Sequence, residues 1–355
     1  MQVTNRYRAG KGPSATGRPF PFDRTGAPPA DAAANHQTQE GTVCRDSTIV
    51  QRIRRHRETG LALILLLIGV FLSIFSKNFL SSDNLFNVLK QTTLVAIIAI
   101  GQTFVVITAG VDLSVGYSMT LCSMILAYGL KANIPMPIML VLSVLCSVAV
   151  GAANGVLITK LHIAPFIITL GMANIVKGII PIMSQGYIVS LKDPFNIWLG
   201  QGNIGPVPVM VILFAIFTFI LNQTVFGNQV KAIGGNVTAA SLSGIHSDRI
   251  RITVYTICDL VCGIAGLIVT GRLNGGNPNA AGTYDMDSMA AVIVGGTFMS
   301  GGAGSIIGTL LGALLMILIR NGLVLLRVNM YWQTVAIGAV IIAVCAIDSI
   351  GQRKK

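Results

Sequence analysis

The sequence predicts an all-α, polytopic membrane protein with about ten transmembrane helices. Of its 355 residues, 53% are hydrophobic and only 11% are charged, and the mean hydropathy is +0.72. Each membrane crossing needs about 20 mostly apolar residues, and the chain contains ten predominantly apolar runs. The 39 glycines fit the same class, because small residues let membrane helices approach closely. This composition excludes an ordinary soluble domain.

The ten apolar runs define the expected order of the helices. They lie near residues 60–76, 91–109, 115–130, 136–159, 164–184, 208–222, 252–271, 287–300, 304–326 and 331–347. Two of them, 115–130 and 287–300, are short and interrupted by glycine, so each is a candidate half-helix. An even number of crossings places both termini on the same side of the membrane.

Basic residues indicate that this side is the cytoplasm. They flank the first and last runs at Arg52, Arg54, Arg55, Arg57, Arg353, Lys354 and Lys355. Positive residues are retained preferentially on the cytoplasmic side of a membrane. The formal net charge of +12 is therefore a topology signal and does not indicate nucleic-acid binding. The predicted localisation is a bacterial inner membrane, crossed several times.

The two ends of the chain are expected to be tails. Residues 1–58 predict a disordered, basic cytoplasmic tail, because this segment is rich in glycine, proline, alanine and polar residues. A polybasic arm on anionic membrane lipids is the alternative. The permease domain is expected over residues 59–350, and a second basic tail over residues 351–355.

The loop over residues 223–251 is predicted to contain a short helix exposed to the cytoplasm. Asn236 is a suitable N-cap, and Gly244 can end the helix in the left-handed conformation. Ala239, Leu242 and Ile245 recur at three-residue spacing and give this helix one small apolar face. A capped, exposed helix with an apolar face is suited to docking into a groove of a partner. The alternative is an ordinary solvated connector.

A weak internal repeat accompanies these elements. Residues 100–104 resemble residues 294–298, and the glycine-bounded turn 110–116 parallels the turn 302–308. Duplicated units of span, glycine-rich turn and span are typical of transporters, where broken helices mark the transport pathway. Chance similarity between apolar segments is the competing interpretation.

Polar residues in or between the spans are candidates for a gate. Asp112 and Ser114 lie in a turn between two spans, where either side chain can cap the following helix. Capping is the favoured interpretation. The turn also has a transport role if it forms part of a gate between subunits.

Asp259 is more unusual, because it falls inside an apolar run. A carboxylate at the bilayer centre costs about 2.5–3.5 kcal/mol, so it is expected to face a cavity or a partner. Lys177 is a candidate partner, or it extends towards the membrane surface. Further intramembrane polar candidates are Asn154, Asn174, Asn321 and Gln333, which more often join helices than bind a ligand.

Other motifs are absent from the sequence. There is no phosphate-binding loop, no H-E-x-x-H pair and no set of nucleophile and base, so the chain is not expected to be an enzyme. The cysteines and histidines show no metal-binding spacing. No cofactor is expected, and if ATP drives this protein, another chain binds the ATP. The segments 187–208 and 274–287 are long enough to meet an external partner.

Three motifs resemble one family of transporters. Residues 106–116, residues 232–245 and residues 290–304 are similar, in this order, to signatures of the ribose/xylose/galactoside permeases of ATP-binding cassette (ABC) importers, within the branched-chain amino acid/sugar permease superfamily. The resemblance covers residues 80–348. It implies a permease that dimerises, most simply as a homodimer, binds an ATPase subunit on its cytoplasmic face and receives a monosaccharide from an extracytoplasmic binding protein.

The resemblance also assigns roles to residues. It implies contact with the ATPase at Gly234, Gly235, Asn236, Ala239, Ala240, Leu242 and Gly244. The pathway or gate is predicted at Asp112, Ser114, Gly116, Asn154, Asp259, Gly295 and Gly296. Two positions depart from the family pattern, which usually has a small residue at 259 and often an arginine at 177.

Other functions remain open at this point. Nucleosides or branched-chain amino acids are alternative cargo. An ion-coupled secondary transporter, in which Asp112 and Asp259 bind the coupling ion, is the alternative from another class. An intramembrane enzyme is a more distant alternative.

Overall fold

The computed structural model describes residues 58–202, 205–329, 331–340 and 342, which form a bundle of α-helices with one small sheet. The expectation of an α-helical membrane protein that crosses the bilayer several times is confirmed at this level. The predicted tails 1–58 and 351–355 lie outside the described residues, apart from residue 58.

The helices are numbered in chain order. They are α1 (Glu58–Phe75), α2 (Ser82–Ile107), α3 (Val115–Lys131), α4 (Met136–Leu161), α5 (Pro165–Ser184), α6 (Pro194–Gln201), α7 (Pro206–Gln223), α8 (Val225–Gly235), α9 (Val237–Leu242), α10 (Ser247–Arg272), α11 (Tyr284–Val294) and α12 (Ile306–Leu325). Residues 331–340 are also helical. The strands are β1 (Val189–Ser190) and β2 (Gly275–Gly276).

Seven helices in the described part of the chain are long and apolar enough to cross a membrane, namely α1, α2, α4, α5, α7, α10 and α12. The two runs predicted as half-helices give shorter elements, since α3 has 17 residues and α11 has 11. The last run, 331–347, is described only in part. The count of about ten crossings, and the internal repeat, stay predictions.

Helix α2 forms the centre of the bundle. From Leu94 to Ile107 nearly all of its side chains are apolar, and 89% of its most apolar stretch is buried, compared with 17% in α1. A helix that is apolar all round is stable only when it is surrounded. The apolar side chains of α1, α4, α5 and α7 are mostly exposed, so these helices offer surfaces to lipid or to another subunit.

Helix α10 packs against α4 through small residues. A β-carbon added to Gly155 would lie 2.7 Å from the Ile252 Cα, and the Ser147 hydroxyl donates a 2.7 Å hydrogen bond to the Asp259 carbonyl oxygen. Helices in membranes associate in this way, because small residues let their backbones approach closely and polar side chains form hydrogen bonds between them. The same helix contacts α2, α3 and α6, so it connects most of the bundle.

A segment without helical structure runs beside α3. Strand β2 pairs with β1 in antiparallel register, with Val189 opposite Gly276. Gly276 packs against Ala127, near the end of α3, whereas Ala281 packs against Gly116, near its beginning. A helix rises 1.5 Å per residue, so residues 276–281 follow about 16 Å of α3. Such irregular backbone is tolerated in a membrane protein only where protein or a water-filled cavity surrounds it.

Candidate functional site

The short helix predicted in the loop 223–251 is present as α9, and both of its predicted end residues act as expected. The Asn236 side chain accepts a 3.0 Å hydrogen bond from the Ala239 backbone amide. Gly244 has a φ of +83°, a left-handed conformation that glycine adopts without a steric penalty. Local sequence therefore determines where this helix begins and ends.

The faces of α9 differ in exposure. Ala240 is buried against the rest of the protein, whereas Leu242 is 86% exposed. Ala239 and Gly244 are exposed as well, and Ile245 is half-buried. An exposed leucine on a rigid, capped helix is a suitable anchor for a groove in a partner.

A close contact joins this loop to the core, and sequence reasoning did not foresee it. Gly234, at the end of α8, packs against the carbonyl oxygen of Ile107 at the end of α2 and against the Gly302 amide. That amide donates a 2.9 Å hydrogen bond to the same Ile107 oxygen. Gly301 and Gly302 have φ values of +84° and +81°. We call these four residues the glycine junction.

The junction brings three segments together. The turn that carries Asp112 follows Ile107 directly, the loop 295–305 contains Gly301 and Gly302, and α9 begins three residues after Gly234. The junction therefore links the segment before α9 to the turn after α2 and to the loop before α12. The only signal in the sequence was the presence of glycines in two separate motifs, which does not reveal that they touch.

Asp112 lies in a buried network of hydrogen bonds. Its Oδ1 accepts from the Ser114 backbone amide at 2.8 Å and from the Ser114 hydroxyl at 2.6 Å. The Asn154 side-chain amide donates to the Ser114 hydroxyl at 2.9 Å, and the Gln102 side-chain amide donates to the Asp112 carbonyl oxygen at 2.8 Å. Side chains from α2 and α4 thus converge on this turn at the start of α3.

The predicted capping of α3 differs in detail. Ser114 occupies the N-cap position, but its hydroxyl donates to Asp112 and does not accept from an amide of α3. Of the two predicted caps, Ser114 is wrong, because its hydroxyl accepts its hydrogen bond from the Asn154 side chain and none from an amide of α3. Asp112 holds the turn itself, by binding the amide of the N-cap residue.

Asp259 lies one helical turn from Tyr255, whose hydroxyl faces the carbonyl oxygen of Val111 at 3.4 Å. Its carboxylate is fully buried, and a β-carbon added to Gly151 would lie 2.7 Å from its Oδ2. The suggested pair with Lys177 does not form. Lys177 is exposed on α5, and its ammonium lies 6.0 Å from the centre of the Tyr117 ring.

The other predicted gate residues lie elsewhere. Gly116 faces Ala281 and the first residues of α11. Gly295 ends α11 and packs against Gly308 of α12, and Gly296 has a φ of +97°. The seven residues predicted as one gate are therefore distributed over two places, because they were grouped by motif and not by contact.

A charged cluster at the start of α11 was missed by sequence reasoning. Arg320 on α12 forms a 2.9 Å salt bridge with Asp287, and the Thr283 hydroxyl donates to the same carboxylate at 2.9 Å. The Arg320 side chain is 29% exposed and that of Asp287 only 3%. An arginine inside the apolar run 304–326 was the available signal, since charged residues within spans are usually functional.

Part of the irregular segment beside α3 is accessible. Asn279, Gly282 and Thr283 are exposed, and so is Met286 in the first turn of α11. Arg320 donates a 2.9 Å hydrogen bond to the Thr283 hydroxyl, which continues this polar edge onto α12. The chain thus carries a polar surface alongside helices that are otherwise apolar.

Nothing in the described part of the chain resembles a metal centre, since no group of three histidine, cysteine or acidic side chains comes together there. The described cysteines, Cys122, Cys146, Cys258 and Cys262, are free thiols. The first, third and fourth are buried, as expected of small residues in helix interfaces.

Comparison with known proteins identifies a family. The family described as "Branched-chain amino acid transport system / permease component" matches residues 84–345. The chain is 37% identical to the ribose import permease protein RbsC of Escherichia coli (strain K12) over 303 residues, 82% of this chain and 93% of that protein.

Two further relatives agree. The ribose import permease protein RbsC of Bacillus subtilis (strain 168) is 36% identical over 298 residues, covering 82% of this chain and 92% of that protein. The fructose import permease protein FrcC of Rhizobium meliloti is 34% identical over 325 residues, covering 85% and 89%. No solved structure matches the chain. The chain belongs to the family of branched-chain amino acid transport system permease components, and it is a membrane permease and not an enzyme.

Proposed function

We propose that this protein is the membrane-spanning permease subunit of an ABC importer for a monosaccharide. Its relatives include import permeases for ribose, fructose and galactose or methyl galactoside. These similarities extend over more than four fifths of the chain. The three motifs named from the sequence lie within the matched region, residues 84–345, and support the same assignment.

The observation that carries the mechanism is α9. This helix is capped at both ends, presents Leu242 to solvent and is followed by basic residues at the start of α10. We place it in a groove of a separate ATPase subunit, which binds the ATP. Of the residues assigned to this contact, Gly235, Asn236, Ala239, Leu242 and Gly244 are exposed and face the ATPase, whereas Gly234 and Ala240 pack against the permease itself and hold the helix in place.

Transmission from the ATPase to the membrane runs through the glycine junction. When ATP binding moves α9, the Gly234 contact pushes on Ile107 and Gly302. These two residues adjoin the turn of Asp112 and the loop of Gly295 and Gly296. The Asp112 turn and the loop 295–305 then change conformation together. Alternating access requires such a coupled change on both sides of a central pathway.

The pathway side of the subunit is the exposed polar edge formed by Asn279, Thr283 and Arg320, with Gly116 directly behind it. Amide, hydroxyl and guanidinium groups are suited to bind the hydroxyl groups of a sugar. The edge is accessible in the single chain, and a second permease subunit, either another copy of this chain or a related permease, completes the pathway opposite it.

The outer face meets the sugar-binding protein. Tyr187, Ile188 and Trp198 are exposed in the segment around β1 and α6, and exposed aromatic residues are enriched in protein interfaces. This orientation follows from ten crossings with both termini in the cytoplasm of a bacterial cell. The remaining exposed apolar helices face the lipids of the inner membrane.

Purification from native membranes tests the proposal. A C-terminally tagged chain, extracted in mild detergent, is expected to bring an ATPase subunit at about equal stoichiometry. Vesicles containing this complex and its binding protein should take up a labelled sugar only with ATP inside. Competition by nucleosides or branched-chain amino acids would change the cargo assignment. Uptake that needs an ion gradient and no ATPase would favour a secondary transporter with Asp112 and Asp259 as ion ligands.

A further inference from the structure

The core of the bundle contains a group of buried oxygen atoms without hydrogen-bond partners. Among the unpartnered buried oxygens of the described residues, this group comprises Gln102 Oε1, Asp112 Oδ2, Ser118 Oγ, Asn154 Oδ1, Asp259 Oδ1 and Asp259 Oδ2. All five side chains are fully buried. Buried polar atoms in native proteins are nearly always paired, so a set of unpaired oxygens requires an explanation.

These residues form two adjacent layers. In the first layer Asp112 binds Ser114, and Asn154 and Tyr255 contact the same turn. The second layer lies one helical turn away on α3, α4 and α10. Ser118 follows Ser114 by four residues, Asp259 follows Tyr255 by four, and Gly151 precedes Asn154 by three.

Contacts confirm the second layer. The absent side chain of Gly151 leaves room for the Asp259 carboxylate, and the Ser118 hydroxyl lies beside that carboxylate. The carboxyl groups of Asp112 and Asp259 are close enough to interact electrostatically. The two layers therefore form one polar column between α3, α4 and α10.

The two carboxyl groups of this column are not balanced by a basic side chain. Asp112 accepts two hydrogen bonds, which stabilise its negative charge. Asp259 has only the neighbouring Ser118 hydroxyl and no backbone amide or basic side chain, and Lys177 lies near Tyr117 on another surface. The titratable groups that interact with the pair from α10 are Tyr255, Cys258 and Cys262, none of which can supply a positive charge.

We infer that a small monovalent cation, a proton or Na⁺, occupies the column at Asp259 and neutralises it. An isolated ionised carboxylate is too costly to bury in a membrane protein. A bound proton converts Asp259 into a donor to the neighbouring oxygens, and a sodium ion is coordinated by them, since hard cations prefer oxygen ligands. Either cation links side chains of α3, α4 and α10 and so stabilises the packing of these three helices.

The site is formed by side chains of this chain alone. Its role is independent of ATP and of the sugar. The inferred cation site can therefore be correct or incorrect independently of the proposed function, and its test does not require a transport measurement.

The test uses the full-length purified protein in lipid nanodiscs. Infrared difference spectroscopy detects a protonated carboxylic acid at neutral pH, and equilibrium binding of radioactive sodium counts bound ions. The variant Asp259→Asn is compared with Asp83→Asn, which removes an exposed carboxylate from the first turn of α2. A second variant, Asp259→Gly, covers the case in which the asparagine variant does not fold.

Two results support the inference and one overturns it. Loss of a carboxylic acid band in both Asp259 variants, but not in Asp83→Asn, identifies the proton. Loss of one bound sodium per chain in the same variants identifies Na⁺. An ionised carboxylate at residue 259 with no bound sodium overturns the inference.

Discussion

Gly234 lies so close to the carbonyl oxygen of Ile107 that an added β-carbon would overlap that oxygen. The next residue, Gly235, has no atom within 4 Å of the same position. Two adjacent glycines at the end of one helix thus have opposite surroundings. One is a point of contact with the core, and the other faces open space.

Replacement of these two glycines should therefore give different results. We expect Gly234→Ala to separate α8 from α2 and to lower stability by about 1–3 kcal/mol, the usual range for overpacking. Sugar uptake should fall because the link between α9 and the Asp112 turn is displaced. Gly235→Ala is the matched control for packing and should retain stability, because nothing lies within 4 Å of the added β-carbon. Thermal unfolding compares the two variants, ATP-driven uptake is measured for Gly234→Ala, and an equal loss of stability in both variants would contradict this account.

Leu242→Asp should weaken the contact with the ATPase. A charge placed in an apolar groove at an anchor residue typically costs about 2 kcal/mol, which is roughly a thirtyfold loss of affinity. Val225→Asp is the control, since Val225 is another exposed apolar residue of the same loop. Co-purification of the ATPase measures the effect. Retention of the ATPase by the Leu242 variant would show that α9 is not the docking element.

Asn236→Ala should loosen α9 without changing its surface residues. Loss of an N-cap costs about 1 kcal/mol, so amide hydrogen exchange over residues 237–242 should become faster. Asn236→Asp should restore slow exchange, because aspartate is an equally good N-cap. If exchange is unchanged in the alanine variant, contacts to the protein and not the cap hold this helix.

How far the sequence predicts the structure depends on whether a feature is local. The limits of α9 were predictable, because Asn236 and Gly244 act within one helical turn. The end of α11 was predictable from Gly295 and Gly296, which interrupt its apolar run. The contact of Gly234 with Ile107 was not predictable. Residues 108–233 separate the two positions, and the sequence around either of them gives no sign that they lie next to each other.

The buried network shows the same limit. A carboxylate at 112 and another at 259 were both recognised as candidates, but the suggested partner of Asp259 was a lysine on α5. The structure places Ser118 and Gly151 there instead. Serine and glycine are common in membrane helices, so their presence gives no signal until the helices are assembled.

Arg320→Ala should destabilise the protein strongly. The Asp287 carboxylate is 3% exposed and would lose its counter-ion, and breaking a buried ion pair costs about 3 kcal/mol. Asp287→Asn added to Arg320→Ala should recover part of this loss, since no uncompensated charge remains. Thermal unfolding of the single and double variants measures how much the Arg320–Asp287 ion pair contributes to stability. An equal loss in the single and double variants would show that packing, not charge, dominates at this position.

Gly151→Ala should separate α4 from α10. The new methyl group would overlap the Tyr255 carbonyl oxygen and approach Asp259 to 2.7 Å, so we expect a loss of about 1–3 kcal/mol. Gly171→Ala in α5, where nothing lies within 4 Å, is the control. The unfolding temperature in detergent compares the two, and a fall in both variants would point to a general effect of losing glycine.

The contact between α4 and α10 also affects how the protein is made. Residues 162–246 lie between the two helices, and ribosomes add about 5–20 residues per second. Helix α4 therefore enters the membrane on the order of ten seconds before its partner. During that interval Ser147 and Asn154 have no Asp259 backbone or assembled turn beside them, and they stand in lipid or against the insertion machinery. The pairing of Ser147 with α10 must therefore wait until α10 has been synthesised, so the two helices cannot associate as each one leaves the ribosome.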